Sequence, residues 1–430
     1  MTFVATSPAS PRYVYWLKTL GKFISAQLIV QAIGVASGIL LVRTLDQREY
    51  AYFTIAFAMH GTINLLADSG IGIGLSSIGG RVWQDRHRFG QLINTALRLR
   101  RYLAVAAIVV VTPILLWMLT SNGASFAYAG LITFVILLSS NLQIMTGVLL
   151  VVPRLRSHIG RVQSLDLLGA FSRLAILLVA YFIFLNAAVA VLAALVATLL
   201  QYLLLARWTS ESVDTCAPVS EEYRTAMIGI VKSQMPNAIF YCIQGQLTVW
   251  LIAFFGSTQN IAEVGALGRL TVIFSVIGAV MTSIVLPSFA RCQSPSQLRR
   301  RYFQVIGSFC LLGTSLIALA RLFPNQVLWI LGPKYTHLRG EVLLMMVLTS
   351  FSSVIGTMWS LNAAKAWTKY TWLNIPGVIL TQVVLLSVFN ISTLNGVLWF
   401  GILSLIPTFL LNCGLSYRGL NGRGALLMSS

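Results

Sequence analysis

LDLLGAFSRLAILLVAYFIFLNAAVAVLAALVATLLQYLLLA, Leu165–Ala206, runs for 42 residues with only two charged side chains, Asp166 and Arg173. A bilayer's hydrocarbon core takes about 20 residues of helix, so the block is too long for one crossing and suits two, with a turn near Asn186. Its apolar residues do not alternate with period two, which argues against barrel strands. The reading is a pair of membrane helices.

Runs of similar length recur on both sides of this block. The expected spans are Leu20–Val42, Ala51–Leu75, Tyr102–Leu119, Ala127–Val152, Leu165–Leu185, Ala187–Ala206, Met227–Phe255, Ile261–Phe289, Phe303–Leu322, Val342–Ala364, Trp372–Phe389 and Leu394–Tyr417. With 57% hydrophobic and 10% charged residues in 430, the chain carries more apolar side chain than a soluble core hides. The expected class is an all-α integral membrane protein with about twelve transmembrane helices. Leu20–Val42 has full spanning length and follows a Trp-bearing amphipathic stretch, so it reads as the first membrane helix and not as a cleavable signal.

The net charge of +19 is spread among the breaks between apolar runs, whereas a nucleic-acid site needs it gathered on one surface. Counted on alternate sides, 23 Lys and Arg fall on the side of the N-terminus and 5 on the other, with Arg173 and Arg269 inside spans. That asymmetry is what the positive-inside rule requires, and it places both termini in the cytoplasm. The five cysteines show no metal-like spacing, and neither a metal nor a cofactor is expected.

The longest polar break, Arg207–Arg224, holds Glu211, Asp214, Glu221 and Glu222. It divides the chain into residues 1–206, a cytoplasmic linker 207–225 and residues 226–430. Six helices per half is an even number, so both halves enter from the same side. They are expected to form two parallel six-helix lobes around a central cavity, a layout that alternating-access transporters use. Arg81 and Arg291, each opening a basic loop after the second helix of its half, are weak echoes of such a repeat.

Ionisable groups at membrane depth are costly and are the first candidates for function. His60, Asn64 and Asp68 are spaced by four on one helix face; the stripe reads as an ion-coupling site or as a structural hydrogen-bonded one. Asp166 and Arg173, seven apart, also share a face. Arg269 offers a bidentate, permanently charged grip on an anion such as phosphate. Its structural alternatives are an ion pair with Glu263 or Asp68, or snorkelling to the surface; for Arg173 the alternative is a pair with Asp166. The helices opening each half are rich in amides, with Ser25, Gln27 and Gln31 in one and Lys232, Gln234, Asn237, Gln244 and Gln246 in the other. Such groups line wet cavities or stitch helices together. Pro113, Pro236, Pro376 and Pro407 free backbone groups within spans. No nucleophile elbow, Walker loop, zinc-binding helix or paired outer carboxylates occur, so a transporter is expected and not an enzyme.

Three stretches are similar to the polysaccharide transporter family, the O-unit and exopolysaccharide flippases of the multidrug/oligosaccharidyl-lipid/polysaccharide (MOP) superfamily. They are LVRTLDQREYAYFTIAFAMHGTINLLADSGIGIGL (Leu41–Leu75), IQGQLTVWLIAFFGSTQNIAEVGALGRL (Ile243–Leu270) with the later LPSFAR, and LFPNQVLWILGPKY (Leu322–Tyr335). The resemblance implies passage of a polyprenyl-diphosphate-linked oligosaccharide across a bacterial inner membrane, beside a glycan polymerase and chain-length machinery. Carried onto this chain, it makes Arg269 and Arg173 cavity cations, with Lys232 near the inner mouth. The amides Gln31, Asn237 and Gln244 are the further expected substrate contacts, and Asp68, His60 and Asp166 the ion-coupling candidates. The chain departs from the lipid II flippase branch in lacking two extra helices and an arginine cluster in its first helix. A drug or metabolite antiporter of the same superfamily is the alternative expectation, and a membrane glycan polymerase or ligase a more distant one.

Overall fold

The computed structural model describes residues 11–156, 158–271, 294–365, 367 and 370–421, and single positions between 272 and 292, with side chains from Ala26 onward. The Ser25 side chain, Arg291 and most of the LPSFAR stretch lie outside the described residues. Among the described residues every regular element is a helix. The first half comprises α1 Pro11–Thr44, α2 Gln47–Asp68, α3 Ile71–Val82, α4 Arg86–Ser121, α5 Phe126–Leu149, the short α6 Val151–Leu155, α7 Ile159–Ile183 and α8 Ala187–Ser212. The second comprises α9 Glu221–Phe255, α10 Thr258–Leu270, α11 Pro295–Leu322, α12 Pro324–Leu331, α13 Arg339–Ala364, α14 Asn374–Val388, α15 Leu394–Ser404 and α16 Ile406–Leu420.

The chain is a multi-pass membrane protein: among the described residues ten stretches are long and apolar enough to cross a bilayer. The expected second and eighth spans are missing from those ten. The second, expected over Ala51–Leu75, breaks because Ser69 and Gly70 take left-handed backbone angles, φ 33° and 96°, which close α2 and restart the chain as α3. α10 covers the start of the expected eighth span, Ile261–Phe289, and most of the rest of that range lies outside the described residues. The turn expected near Asn186 is present. Its side chain accepts the Val189 amide at 2.9 Å and caps α8, a contact worth about 1 kcal/mol. Pro113 and Pro236 lie inside α4 and α9. Pro376 and Pro407 instead sit in the first turns of α14 and α16, where the missing N–H costs little.

Each half is a lobe. In the first, α5 packs on α8, α2 on α4, α7 on α8 and α1 on α7; in the second, α13 packs on α11, α15 and α16. Between membrane helices such contacts depend on close backbone approach at small residues. Gly147 on α5 instead leaves room for a side chain, since a Cβ there would sit 2.6 Å from an Arg100 guanidinium nitrogen. Glu49 on α2 accepts from the Tyr128 hydroxyl (2.6 Å) and from the Ala187 amide (2.7 Å), tying three helices together at the N-terminus of α8, where the helix dipole favours a carboxylate.

The lobes meet firmly at the end that carries the α1–α2 turn, the Leu45 end. Arg43 donates to the carbonyls of Ile330 (3.0 Å) and Trp329 at the C-terminus of α12 and lies 4.8 Å over the Trp329 ring. Lys334 donates to the Leu45 carbonyl at 2.7 Å, and Thr258 to the Asn122 side chain at 3.0 Å. Along the same seam α10 packs against α2.

At the opposite end the interlobe connection is Val213–Ser220, shorter than the expected 207–225. Residues 207–212 stay helical, held by Arg161 to Glu211 (3.2 Å) and by Arg156 to the Ser212 carbonyl (2.6 Å). The connection lies on the start of α4. Asn94 donates to the Thr215 and Ala217 carbonyls, and Asp214 Oδ2 is 2.9 Å from His87 Nδ1. The His87 contact, then the bond from the Cys216 amide, holds the Asp214 carboxyl below its ordinary range. A depressed carboxylate pKa stabilises the docked state above the ordinary value and loses that contribution as pH falls through the folded one. Amide exchange over Val213–Ser220, corrected for intrinsic rates, is therefore expected to stay flat from pH 7 to about 4 and to speed up below it. In Asp214→Ala it should be fast throughout; identical profiles would rule out this anchor.

Candidate functional site

Residues from five helices of the first lobe enclose a cavity of about 480 Å³. Gln31 and Ser37 come from α1, Phe57, His60 and Asn64 from α2, Gln143 from α5, Asp166 and Arg173 from α7, and Gln201 from α8. The spacing read from sequence explains the convergence. His60 and Asn64 are one turn apart on α2, Asp166 and Arg173 two turns apart on α7, and each pair faces inward. Five sequence candidates, Gln31, His60, Asn64, Asp166 and Arg173, are thus brought together.

Polar groups in this cavity are only partly satisfied. Gln201 donates to the Leu165 carbonyl at 2.9 Å, and Asn64 to the His60 carbonyl at 2.8 Å. Three buried atoms, His60 Nε2, Asn64 Oδ1 and Arg173 Nε, have no hydrogen-bond partner. Leaving a buried polar atom unpaired costs about 1–3 kcal/mol, more when it is charged. Orphans sharing one cavity are therefore a specific signal for something that enters it.

Among the described residues Arg173 makes no ion pair with Asp166, its expected local partner. The Arg173 guanidinium lies 5.6 Å over the Phe57 ring instead. Arg269 is held the same way, 5.6 Å over Phe53, with Nε donating to the Tyr50 hydroxyl at 3.2 Å. Neither of its expected acidic partners is used: Glu263 accepts from Gln259 and faces His337, both at 2.8 Å, while Asp68 pairs with Arg100. The rings form a continuous stripe on α2, Tyr50–Phe53–Phe57–His60, with successive centroids 6.0, 5.7 and 6.3 Å apart. Ring faces attract guanidinium groups without neutralising them. Neither guanidinium is paired with a carboxylate among the described residues. The 50, 53, 57, 60 spacing was legible in the sequence, but only the fold shows that it carries two arginines.

The other candidates lie elsewhere. Arg269 is at the α2–α10 seam and not among the residues lining the cavity. Lys232 and Asn237 are exposed on α9. Gln244 faces a cavity in the second lobe and exchanges two amide hydrogen bonds with Gln382, at 3.0 and 2.7 Å. Asp68, the last residue of α2, is not among the residues lining the cavity; it lies 3.3 Å from Arg100 of α4, a partner not anticipated in place of Arg269. The Arg100 side chain is only 9% exposed and Asp68 37%, so breaking the pair strands the arginine. Asp68→Ala is expected to lower stability by about 1–3 kcal/mol. Adding Arg100→Leu should recover part of the lost melting temperature, and an unshifted Asp68→Ala melt would show the pair to be dispensable.

No family model matches the chain, and no curated protein matches it. Solved structures do. One described as the inward-facing conformation of a multidrug resistance MATE family transporter of the MOP superfamily is similar at a TM-score of 0.71 and 18% identity, over 93% of this chain and 96% of that one. The outward-facing conformation so described gives 0.59 at 18% identity, over 96% of each. A MOP superfamily transporter from Pyrococcus furiosus, described as having a binding pocket of reverse polarity that suggests a different function, gives 0.52 at 14% identity over 94% and 95%. Likeness over nearly the whole of each chain shows that this protein has the two-lobed helical fold of the MATE transporters of the MOP superfamily.

Proposed function

We propose that the chain is an alternating-access transporter that carries an anionic organic molecule in exchange for an ion, the antiporter alternative of the sequence reading with its substrate charge reversed. The observation behind it is Arg173: a guanidinium that lines a membrane-depth cavity, rests on an aromatic ring and has no carboxylate partner among the described residues. A site for organic cations needs acidic groups, and Asp166 is the one acid lining this cavity among the described residues. Two of the neighbours are named as multidrug transporters, which supports a drug or metabolite antiporter; another is described as having a reversed pocket polarity. We assign the Leu45 end to the outer face, because Lys and Arg concentrate at the other end. The ties at that end then describe a state shut at the outer face. His60 and Asp166 are the assigned proton acceptors.

The flippase reading stands second, supported by the sequence resemblance and by the same cation, since a diphosphate is the kind of anion a guanidinium holds well. Proteoliposome transport of a fluorescent organic anion, an organic cation and a polyprenyl-diphosphate glycan decides among them. Uptake of the anion under a proton gradient is the expected result. Movement of the lipid-linked glycan alone would favour the flippase, and movement of the cation alone would overturn the assigned charge.

A further inference from the structure

The second lobe encloses a cavity of about 650 Å³ between α9, α13, α14, α15 and α16, within the size range of sites for drug-sized ligands. Its chemistry differs from that of the first lobe. Among the described residues that line it there is no Asp, Glu, Lys, Arg or His. The walls are aliphatic and aromatic, with Trp359 and Tyr241 exposed, and several polar groups are already paired with one another. Gln244 and Gln382 bond reciprocally, Thr408 donates to Asn374 at 2.8 Å, and Asn412 donates to the Thr408 carbonyl at 2.9 Å. The exception is Ser404. It is 6% exposed, it lines the cavity, and its Oγ is the one buried polar side-chain atom of the described lining without a hydrogen-bond partner.

We propose that this cavity is a second binding site, for an uncharged and largely apolar molecule carrying at least one hydrogen-bonding group. An organic ion would lose its hydration here with no opposite charge to replace it. A lipid acyl chain would fill the space and still leave Ser404 Oγ unpaired. An aromatic molecule with one N–H or O–H satisfies the hydroxyl and stacks on the exposed rings. The two lobes then sort ligands by charge, anions in the first and neutral molecules in the second. The inference does not depend on the anion reading, because it rests on residues of the other lobe.

N-phenyl-1-naphthylamine, uncharged, aromatic and bearing one N–H, is a suitable probe. Its binding to the full chain in lipid nanodiscs is read by energy transfer from the protein's tryptophans, with empty nanodiscs subtracted. Saturable binding is expected, undisturbed by tetraphenylphosphonium and unchanged in Arg173→Gln. Ser352→Phe, which projects a ring from an exposed position on the wall, should weaken it at least about tenfold. Ser404→Ala, which removes one hydrogen bond and almost no volume, should weaken it about threefold to tenfold. Unchanged melting temperatures show that both variants are folded. Non-saturable partitioning that is equal in all variants, displacement by tetraphenylphosphonium, or displacement by added phospholipid would each overturn the proposal.

Discussion

Arg173→Gln is expected to lower organic-anion transport by about 30-fold or more while leaving the protein folded. The figure follows from removing one partner of a desolvated charge contact, which costs about 2 kcal/mol or more. Glutamine keeps much of the side chain's length and hydrogen-bonding capacity but not its charge, so a loss reports on charge. Folding should tolerate the change because Arg173 has no carboxylate to strand; its ring contact with Phe57 and its unpaired Nε are what the substitution removes. Arg173→Lys keeps the charge and loses the fork, so intermediate transport is expected, with more loss for a phosphate-bearing substrate than for a carboxylate. Arg269→Gln should cost less, since Arg269 already donates to Tyr50 and lies outside the cavity. Wild-type transport in Arg173→Gln would remove the cation from the mechanism.

That contrast between two arginines was only half legible in the sequence. Hydropathy and charge alternation mark the spans and the two halves, because lipid as solvent imposes length and composition on every helix. Asn186 was legible as a turn because a 42-residue apolar block has to reverse. Same-helix geometry was legible too: His60 with Asn64, and Asp166 with Arg173, do share faces. Partners from different helices were not. Nothing local shows that Asp68 meets Arg100, that Arg269 meets Tyr50, or that Arg173 ignores Asp166 two turns away. Those pairings depend on crossing points set by small residues, and Gly147 and Gly265 look like any other membrane glycine until their neighbours are known. The break at Ser69 and Gly70 was missed for the opposite reason. Its signal, Asp68-Ser-Gly-Ile-Gly, is local, but an apolar run overrode it.

Gly265→Ala is expected to open the Leu45 end. A Cβ at Gly265 would fall inside contact distance of Thr54 Oγ1, 2.9 Å from its Cγ2 and 3.1 Å from its Cβ. Thr54 has little room to yield, since its χ1 is restricted by branching and its hydroxyl donates to the Tyr50 carbonyl at 2.8 Å. Gly265 and Arg269 are one turn apart on α10, so the approach that Gly265 permits also brings Arg269 to Tyr50. Gly38 serves the same seam from α1, where a Cβ would lie 3.0 Å from Arg269 Cδ. Overpacking of this kind costs about 1–3 kcal/mol. The cost applies only while the seam is shut, so it becomes a shift of about 5-fold to over 100-fold toward the state open at that end. Spin labels at Ser121 and Ser392, exposed positions on the two lobes, should report a longer interlobe distance in a background without reactive cysteines. The Tyr50–Arg269 bond should loosen with it. Thr54→Ala in the same chain removes Oγ1 and Cγ2, leaves the 3.1 Å contact, and is expected to restore the short distance. A general folding defect would not be rescued this way, and unchanged distances in a folded Gly265→Ala protein would show that the α2–α10 contact does not set the equilibrium.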